Sequence, residues 1–420
     1  MATHLKPVQD SMAVPREPAD GLRYVARQPI LDLRGRLHGY ELLFRNGPEA
    51  AFRGDGDLAT RTMLDNSVIF GLEKLAGGVT AFVNCTRESL TENLVNVLPP
   101  GMTVLEILET IEPSPTLIEA CLRLKASGFR LALDDFTWKK GVEPLVEMAD
   151  YIKVDFVLTG AEQRKKLLQR LSNHAVALVA EKVETYEEFQ QARAEGFTLI
   201  QGYYFCRPIL LRNRNMPANR LTHIEILRLL RADSLDLRKL SRLVKRDASL
   251  TYRLLRLINS PLSAVRQEVC SVQGALIAVG EEAFRRIATL AITSELNAGQ
   301  PEEVLRMAFV RGRFCELAAG FCALNSTEQY LLGLLSLLPA MLRLPMEQLS
   351  PALPLREEIR QALLGVQLPE RSLLAWLVSH EYGDWTTCDA IALAHHLDQE
   401  QLLHCYAEAV DWAESAIHFS

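Results

Sequence analysis

The sequence predicts an α/β fold: a (β/α)8 barrel of the TIM type with an antiparallel first strand, followed by an all-α domain. Three observations lead to this prediction. In residues 22–210, short apolar runs of strand character alternate with amphipathic stretches of helical period. The first two runs are joined by Asp32-Leu-Arg-Gly35, a turn too short for a parallel crossover, so we expect a hairpin there. From Leu221 onward only helical periodicity is found.

The predicted strands are short and apolar, and the segments between the later ones suit crossover helices. In chain order, the strands are Arg23–Leu33, Leu37–Phe44, Thr80–Asn84, Thr103–Leu108, Arg130–Phe136, Tyr151–Phe156, Ala177–Val183 and Leu199–Tyr204. The crossover helices are predicted at Pro115–Ser127, Ala161–Asn173 and Thr185–Glu195. A chain of 420 residues with 48% hydrophobic content is long enough for two cores.

The rest of the chain predicts the domain limits and the compartment. Residues 1–21 are polar and contain prolines, which indicates a disordered lead-in without a signal peptide or anchor. Residues 211–220 are interpreted as a linker, and the helical domain is expected over 221–412. The most apolar stretch, Tyr330–Leu344, is too short to span a bilayer and is expected to be a buried helix. Eight scattered cysteines without a Cys-x-x-Cys pair fit a reducing compartment, so we expect a soluble, cytoplasmic protein without membrane contact.

Charge narrows the classes of partner. A net charge of −6 argues against a nucleic-acid footprint over the whole protein. Between Arg228 and Arg256, however, nine basic residues accompany only three acidic ones. Charge runs on helices are usually solvated faces, and a contact with a partner protein or nucleic acid is the alternative.

Polar residues recur at the ends of the predicted strands, where barrel enzymes place their catalytic groups. They are Glu41, Asn84, Glu106, Asp134, Asp135, Lys153, Asp155, Glu181, Glu184 and Gln201. Their oxygen donors suit Mg²⁺ or Mn²⁺ rather than zinc, and two such ions about 4 Å apart activate water and clamp a phosphodiester oxygen. In such a site Lys153 would orient the water or neutralise developing charge, and Glu181 would accept its proton. A lone acidic strand end is more often a solvated cap, so the prediction depends on the convergence of these residues.

These motifs resemble, in the same order, those of the EAL-domain family of bacterial cyclic-di-GMP phosphodiesterases, over about residues 22–210. The resemblance is seen in Glu41-Leu-Leu43, Phe82-Val-Asn84, Val104-Leu-Glu106, Asp134-Asp135, Ile152-Lys-Val-Asp155, Val179-Ala-Glu-Lys-Val-Glu184 and Ile200-Gln-Gly-Tyr203. It implies hydrolysis of cyclic di-GMP to pGpG with two bound ions, Mg²⁺ or Mn²⁺. The implied metal ligands are Glu41, Asn84, Glu106 and Asp134, with Asp135 at the second ion.

The resemblance also implies roles for the remaining residues. Lys153 would hold the attacking water, Glu181 would be the general base, and Gln201 would support the site. Gln28 and Arg45 match positions associated with the dinucleotide ligand. Glu109 matches the glutamate that anchors the loop after the fifth strand.

Two departures from the family pattern bear on turnover. The family's Gly-Thr-Gly-Tyr-Ser-Ser loop, which helps to organise the second metal and the dimer, is replaced by Thr137-Trp-Lys-Lys-Gly141. Lys182 stands in place of the usual glycine beside Glu181, and a cation there lowers the basicity of that carboxylate if it points inward.

The C-terminal half resembles the HDOD domain, a helical relative of HD phosphohydrolases. The resemblance is seen in Leu254-Leu-Arg-Leu-Ile-Asn-Ser-Pro261 and in Val269-Cys-Ser-Val-Gln-Gly-Ala-Leu-Ile-Ala-Val-Gly280. No His-Asp dipeptide occurs in the chain, so this half is expected to be a non-catalytic output module with a protein partner.

Three functional hypotheses follow: a working phosphodiesterase, a catalytically silent sensor that binds cyclic di-GMP or protein, and a structural adaptor. The complete set of site residues favours the first, and the altered loop favours the second. A homodimer is a further expectation.

Overall fold

The computed structural model describes residues 24–45, 72–206, 218–231, 235–244, 248–260, 263, 269, 271–297, 300–353 and 355–419. The described residues form a closed eight-stranded barrel followed by a helical region, which confirms the predicted fold class. The predicted lead-in 1–21 and residues 211–217 of the predicted linker lie outside the described residues. No helix in the described ranges has the length and apolar character needed to cross a membrane.

The barrel strands follow one another in chain order around the barrel. They are β1 Tyr24–Asp32, β2 Leu37–Arg45, β3 Thr80–Cys85, β4 Thr103–Ile107, β5 Arg130–Leu133, β6 Tyr151–Asp155, β7 Ala177–Glu181 and β8 Leu199–Gln201. β1 runs antiparallel to both β2 and β8, and every other neighbouring pair is parallel. The barrel is therefore irregular only at its first strand.

The predicted hairpin between β1 and β2 is confirmed. The Asp32 carboxylate accepts hydrogen bonds from the backbone N–H groups of Arg34 at 2.8 Å and Arg36 at 2.9 Å. Gly35 has a φ of +76°, a left-handed conformation that glycine adopts at little cost. The chain thus reverses within the turn, and Gln28 of β1 comes to lie opposite Glu41 of β2.

Six helices belong to the described part of the barrel: α1 Leu72–Leu75, α2 Arg87–Thr91, α3 Pro115–Ala126, α4 Glu143–Met148, α5 Ala161–Leu171 and α6 Tyr186–Glu195. Each of the three predicted crossover helices is present, with ends within two residues of the prediction. α6 begins with a capping box, in which Thr185 and Glu188 exchange side-chain to backbone hydrogen bonds. These caps explain why α6 starts just where β7 and its loop have ended.

Three strands end two or more residues earlier than predicted. β5 stops at Leu133, β7 stops at Glu181 and β8 stops at Gln201. The reason is local backbone conformation, because a residue with positive φ follows each strand: Asp135 at +39°, Lys182 at +55° and Gly202 at +136°. A left-handed residue interrupts an extended strand. Asp134 and Asp135 therefore lie in the loop after β5 rather than at the end of the strand.

The helical region contains thirteen further helices within the described residues. They are α7 Ala218–Arg231, α8 Leu237–Val244, α9 Ala248–Ile258, α10 Val272–Val279, α11 Glu281–Leu296, α12 Glu302–Ala319, α13 Ser326–Leu335, α14 Leu338–Leu342, α15 Met346–Leu349, α16 Glu357–Leu363, α17 Ser372–Glu381, α18 Trp385–His395 and α19 Gln399–Phe419.

Three details of this region differ from the sequence expectations. α7 begins at Ala218, inside the predicted linker, and α19 continues to Phe419, beyond residue 412. The apolar stretch Tyr330–Leu344 is not one helix, because α13 ends at Leu335 and α14 starts at Leu338. Pro339 is tolerated there because it stands in the first turn of α14, where its missing N–H group is not needed.

Part of the basic stretch between Arg228 and Arg256 is engaged within the helical region. Lys239 pairs with Glu225 at 2.9 Å, and Arg253 pairs with Glu295 at 2.5 Å. Arg256 donates a hydrogen bond to the backbone oxygen of His418 at 2.8 Å. These contacts favour a structural role for at least this part of the stretch.

Candidate active site

The register of the barrel brings the predicted site residues to one rim. Asn84 on β3 is paired with Glu106 on β4, and Gln28 is paired with Glu41. The loop after β5 is fixed there by its backbone, because the N–H of Asp134 donates to the oxygen of Ile107 at 3.0 Å. Because the carboxyl ends of parallel strands meet at one edge, side chains distant in sequence become neighbours.

Lys153 lies at the centre of this group. Its ammonium nitrogen is 3.0 Å from Glu41 Oε2, 2.7 Å from Glu106 Oε1, 2.8 Å from Asp134 Oδ1 and 3.0 Å from Glu181 Oε1. The side chain of Lys153 is fully buried, with no exposed surface. One ammonium thus faces four carboxylates from four different segments of the barrel.

Two amide side chains orient Glu41. Gln201 Nε2 donates to Glu41 Oε2 at 2.6 Å and to Gln28 Oε1 at 2.8 Å. Asn84 Nδ2 donates to Glu41 Oε1 at 2.9 Å. Both carboxylate oxygens of Glu41 are therefore held in place, one of them by a direct hydrogen bond from Gln201.

The electrostatics of the group follow from burial and crowding. Burial raises the pKa of Glu106 well above its usual value, and the charge on Glu41 adds to this effect. Burial likewise raises the pKa of Glu181 to about 8, against the opposing influence of Lys153. Burial also raises the pKa of Asp134. For Glu41, burial is outweighed by Lys153 and by hydrogen bonds from its neighbours, and its pKa is lowered.

Several buried oxygen atoms at this rim have no hydrogen-bond partner: Asn84 Oδ1, Glu106 Oε1 and Oε2, Asp134 Oδ1, Asp135 Oδ1, Glu181 Oε2 and Gln201 Oε1. Two of them, Glu106 Oε1 and Asp134 Oδ1, lie near Lys153 as ion pairs without hydrogen-bond geometry. Buried oxygens without partners are costly, and hard oxygen donors are the ligands that Mg²⁺ and Mn²⁺ prefer. The donor types therefore fit a divalent cation.

The carboxylates are nevertheless gathered around an ammonium. In the ranges that the structure describes, no group of three or more His, Cys, Asp or Glu side chains is arranged as a cage for a metal ion. Lys153 stands among the carboxylates instead. A cation entering this rim would share the carboxylates with that lysine.

A second ion-pair group lies beside the first. Lys182 Nζ is 2.5 Å from Asp155 Oδ2 and 3.7 Å from Asp135 Oδ2. The ammonium thus points to these two aspartates, and burial keeps the pKa of the adjacent Glu181 raised. Asp155 was predicted only as one of the polar strand-end residues, without a role of its own. Its spacing from Lys153 by two residues was an available signal, because residues i and i+2 of a strand share a face.

Backbone contacts also fix the loop that contains Lys182. The N–H of Val183 donates to Gln201 O at 3.0 Å, and the N–H of Tyr204 donates to Val183 O at 3.1 Å. Gly202 has a φ of +136°, and a Cβ atom there would lie 2.2 Å from Val183 O. Only glycine permits this approach, so the loop after β7 is held firmly against β8.

The two positions predicted to contact the dinucleotide are Arg45 and Gln28. Arg45 ends β2, and its side chain lies outside the described residues. The side chain of Gln28 accepts a hydrogen bond from Gln201. The glutamate expected to anchor the loop after β5, Glu109, accepts a hydrogen bond at its backbone oxygen from Lys139 Nζ at 2.9 Å. The altered loop Thr137–Gly141 is thus tied down through one of its own lysines.

The barrel has the features of the EAL class: its first strand is antiparallel, and a buried lysine lies among carboxylates at its rim. A helical domain follows the barrel. Residues 84–208 match the EAL domain, and residues 216–351 match the HDOD domain. The EAL match starts at Asn84, so it leaves β1 and β2 outside.

Whole-length relatives cover those strands as well. The chain is 33% identical to the uncharacterized protein YuxH of Bacillus subtilis (strain 168) over 403 residues, which span 93% of this chain and 98% of that protein. It is 32% identical to the cyclic di-GMP phosphodiesterase CdgJ of Vibrio cholerae serotype O1 over 398 residues, which span 93% of this chain and 92% of that protein. This chain belongs to the family of proteins in which an EAL domain is followed by an HDOD domain.

One solved structure similar to this chain is an EAL domain protein from Listeria monocytogenes EGD-e. The two are 22% identical, and the match covers 44% of this chain and 87% of that chain with a TM-score of 0.37.

Proposed function

We propose that this protein is a cyclic-di-GMP phosphodiesterase that opens the cyclic dinucleotide to linear pGpG. The proposal depends on one observation, the convergence of Glu41, Glu106, Asp134 and Glu181 on Lys153 at the carboxyl rim of the barrel. The relative CdgJ, similar over nearly its whole length, is named as a cyclic di-GMP phosphodiesterase, and this supports the same reaction here.

Four of the side chains that would hold divalent cations have unpartnered oxygens. Asn84 through Oδ1, Glu106 and Asp134 would hold one Mg²⁺ or Mn²⁺ together with Glu41, and Asp135 would hold a second. Bound cations would lower the pKa of a water molecule and neutralise charge on a phosphodiester oxygen.

Glu181 is the proposed general base. Burial raises its pKa to about 8, and its Oε2 atom has no hydrogen-bond partner. A base is most effective when its pKa lies near the working pH, and only the ionised fraction of this carboxyl, which grows as the pH rises towards 8, can accept a proton from water. Lys153, held in the same group, would keep that water in place and stabilise negative charge on the phosphoryl oxygens.

Ligand binding and signal output complete the proposal. Gln28 and Arg45 would contact the dinucleotide, since both belong to the hairpin strands beside Glu41. The helical domain would contact a protein partner, the protein would act in the cytoplasm, and a homodimer is part of the proposal.

A second candidate is a silent sensor that binds cyclic di-GMP without hydrolysing it. The specific observation in its favour is Lys182, whose ammonium lies 3.7 Å from Asp135 Oδ2. A positive charge beside that carboxylate would hinder loading of the second cation.

The deciding experiment uses the purified full-length chain with cyclic di-GMP and either Mg²⁺ or Mn²⁺. Chromatography should detect pGpG, and Glu181→Gln should reduce its formation by about 100-fold or more, the scale expected for a general base. Ligand binding without product would establish the sensor. Absence of both ligand binding and product would favour the third hypothesis, a structural adaptor.

A further inference from the structure

Lys182 occupies a position that is unfavourable for a residue with a side chain. It follows Glu181 directly and has a φ of +55°, in the left-handed region. Such a conformation is costly for any residue with a Cβ atom and almost free for glycine. A lysine kept in this conformation requires a compensating contact.

Asp155 provides that contact. Its Oδ1 atom accepts hydrogen bonds from the backbone N–H groups of Val157 and Leu158, both at 2.7 Å, so the carboxylate is fixed by the main chain. Its Oδ2 atom accepts a hydrogen bond from Lys182 Nζ at 2.5 Å. The residue is itself buried, with 3% of its surface exposed. The Lys182 ammonium is therefore held by a rigid partner.

From that place the ammonium reaches the loop after β5. Asp135 Oδ2 lies 3.7 Å from Lys182 Nζ, and Asp135 Oδ1 is buried without a hydrogen-bond partner. Asp135 also has a left-handed backbone, with a φ of +39°. Two strained residues on neighbouring loops thus bring an ammonium and a carboxylate together.

We propose that the Lys182 ammonium is a tethered counter-charge that competes with the divalent cation for Asp135. This inference rests on the proposed function only in taking Asp135 as a cation ligand. A monovalent ammonium already balances part of the charge of Asp135 and repels an arriving divalent ion. The protein therefore binds one divalent ion well, at the group around Glu41, and a second ion weakly.

The competition is reversible because Lys182 is not enclosed. About half of its side-chain surface, 52%, is exposed, so the ammonium can leave Asp135 when the divalent ion is abundant. Lys153 cannot withdraw in this way, since it has no exposed surface. The two lysines of the rim thus differ in function: one is a permanent part of the site, and the other regulates occupancy of the second position.

The test is a calorimetric titration of the metal-free full-length protein with Mn²⁺ alone, without nucleotide. The wild type is expected to show one tight site and one weak site. Lys182→Met, which is close to lysine in length and removes its charge, should tighten the weak site by about tenfold or more, the factor that corresponds to about 1.4 kcal/mol. Lys166→Met, an exposed lysine on α5, is the control for loss of one positive charge and should change neither site.

Lys182→Gly gives a second reading of the same quantity. Glycine suits the left-handed backbone, so this variant should fold even if the methionine variant does not, and it should show the same tightening. Two equally tight sites in the wild type, or a weak site unchanged by both substitutions, would overturn the inference and leave the proposed function standing. Absence of Mn²⁺ binding in all the proteins would overturn both.

Discussion

The hydroxyl of Tyr40 lies 2.9 Å from both carboxylate oxygens of Glu303, and this contact joins the barrel to the helical domain. Tyr40 precedes Glu41 on β2, and neighbouring residues of a strand point to opposite faces. The strand that presents Glu41 to the site therefore presents Tyr40 to helix α12. A shift of that helix would act on Tyr40, the residue next to Glu41 in the strand.

The contact is part of a buried ionic group. Arg306 pairs with Glu303 at 3.0 Å and also with Glu414, and Arg27 pairs with Glu414 at 3.2 Å. The guanidinium of Arg27 in turn lies 4.6 Å from the centre of the Tyr40 ring. Strands β1 and β2 are thus linked to α12 and α19 by ion pairs and by the hydrogen bond of Tyr40.

Tyr40→Phe is expected to lower the free energy of unfolding by about 1–3 kcal/mol, because it leaves a buried carboxylate without one of its donors. Denaturant unfolding measures this change. Tyr186→Phe is the matched control, since no hydrogen bond of its hydroxyl is found within the described residues, and it should remain within about 0.5 kcal/mol of the wild type. Equal stability of both variants would show that the Tyr40–Glu303 contact does not stabilise the interface.

Lys153→Met is expected to destabilise the metal-free protein by about 3–5 kcal/mol, because removal of one partner leaves uncompensated buried charge. Mn²⁺ should raise the thermal midpoint of this variant more than that of the wild type, since it supplies the missing positive charge. Lys125→Met is the control: that lysine pairs with Asp150 at 2.8 Å but is one-third exposed, at 33%. Its loss should change stability by at most about 1 kcal/mol. Similar effects of the two substitutions would contradict the central role of Lys153.

The stability of the metal-free protein should fall as the pH rises from 7 to 8. The folded-state pKa of Glu181 is raised to about 8 by burial, so the folded protein holds a proton that the unfolded chain has released. Stability decreases with pH wherever the folded state binds more protons. This contribution is complete at and below the unfolded pKa and is lost as the pH rises through about 8.

Glu181→Gln removes this titration and should flatten the decline by about 1 kcal/mol over that pH unit. The measurement is chemical unfolding at pH 7 and pH 8. Both pH values lie above the range in which histidines usually titrate. This matters because burial lowers the pKa of His380 to about 3, so that below the usual histidine pKa this residue would make stability rise with pH and oppose the effect of Glu181. Equal slopes for the two proteins would show that Glu181 is already ionised at neutral pH.

The sequence was sufficient for the fold class, because strand and helix periodicities and the short Asp32–Gly35 turn are local signals. It was not sufficient for the ends of β5 and β7, which depend on left-handed conformations at Asp135 and Lys182 that no local pattern predicts. The Tyr40–Glu303 contact joins residues 263 positions apart, and its partner is a charged residue in the first turn of a helix. Such a residue is normally solvated, so nothing in the sequence marked it as buried.

The site shows the same division. Motif order and strand ends predicted which residues meet at the rim, because the barrel topology makes strand ends converge. The central position of Lys153 and the capture of Lys182 by Asp155 depend on side-chain conformations and charge balance, which only the assembled barrel defines.

Gln201→Leu tests whether the hydrogen bonds around Glu41 matter for cation binding. Gln201 Nε2 holds Glu41 Oε2 at 2.6 Å, and leucine has similar size but no donor. Because residues that orient a metal ligand typically contribute 10- to 100-fold in metal affinity, the tight Mn²⁺ site should weaken by about that factor. Gln163→Leu, which alters an exposed glutamine that bonds the backbone of Gly160 at the start of α5, is the control and should leave affinity unchanged. If the tight site kept its affinity in Gln201→Leu while the fold stayed intact, the hydrogen bond from Gln201 would not be needed for cation binding, and Asn84 and Lys153 would be sufficient to orient Glu41.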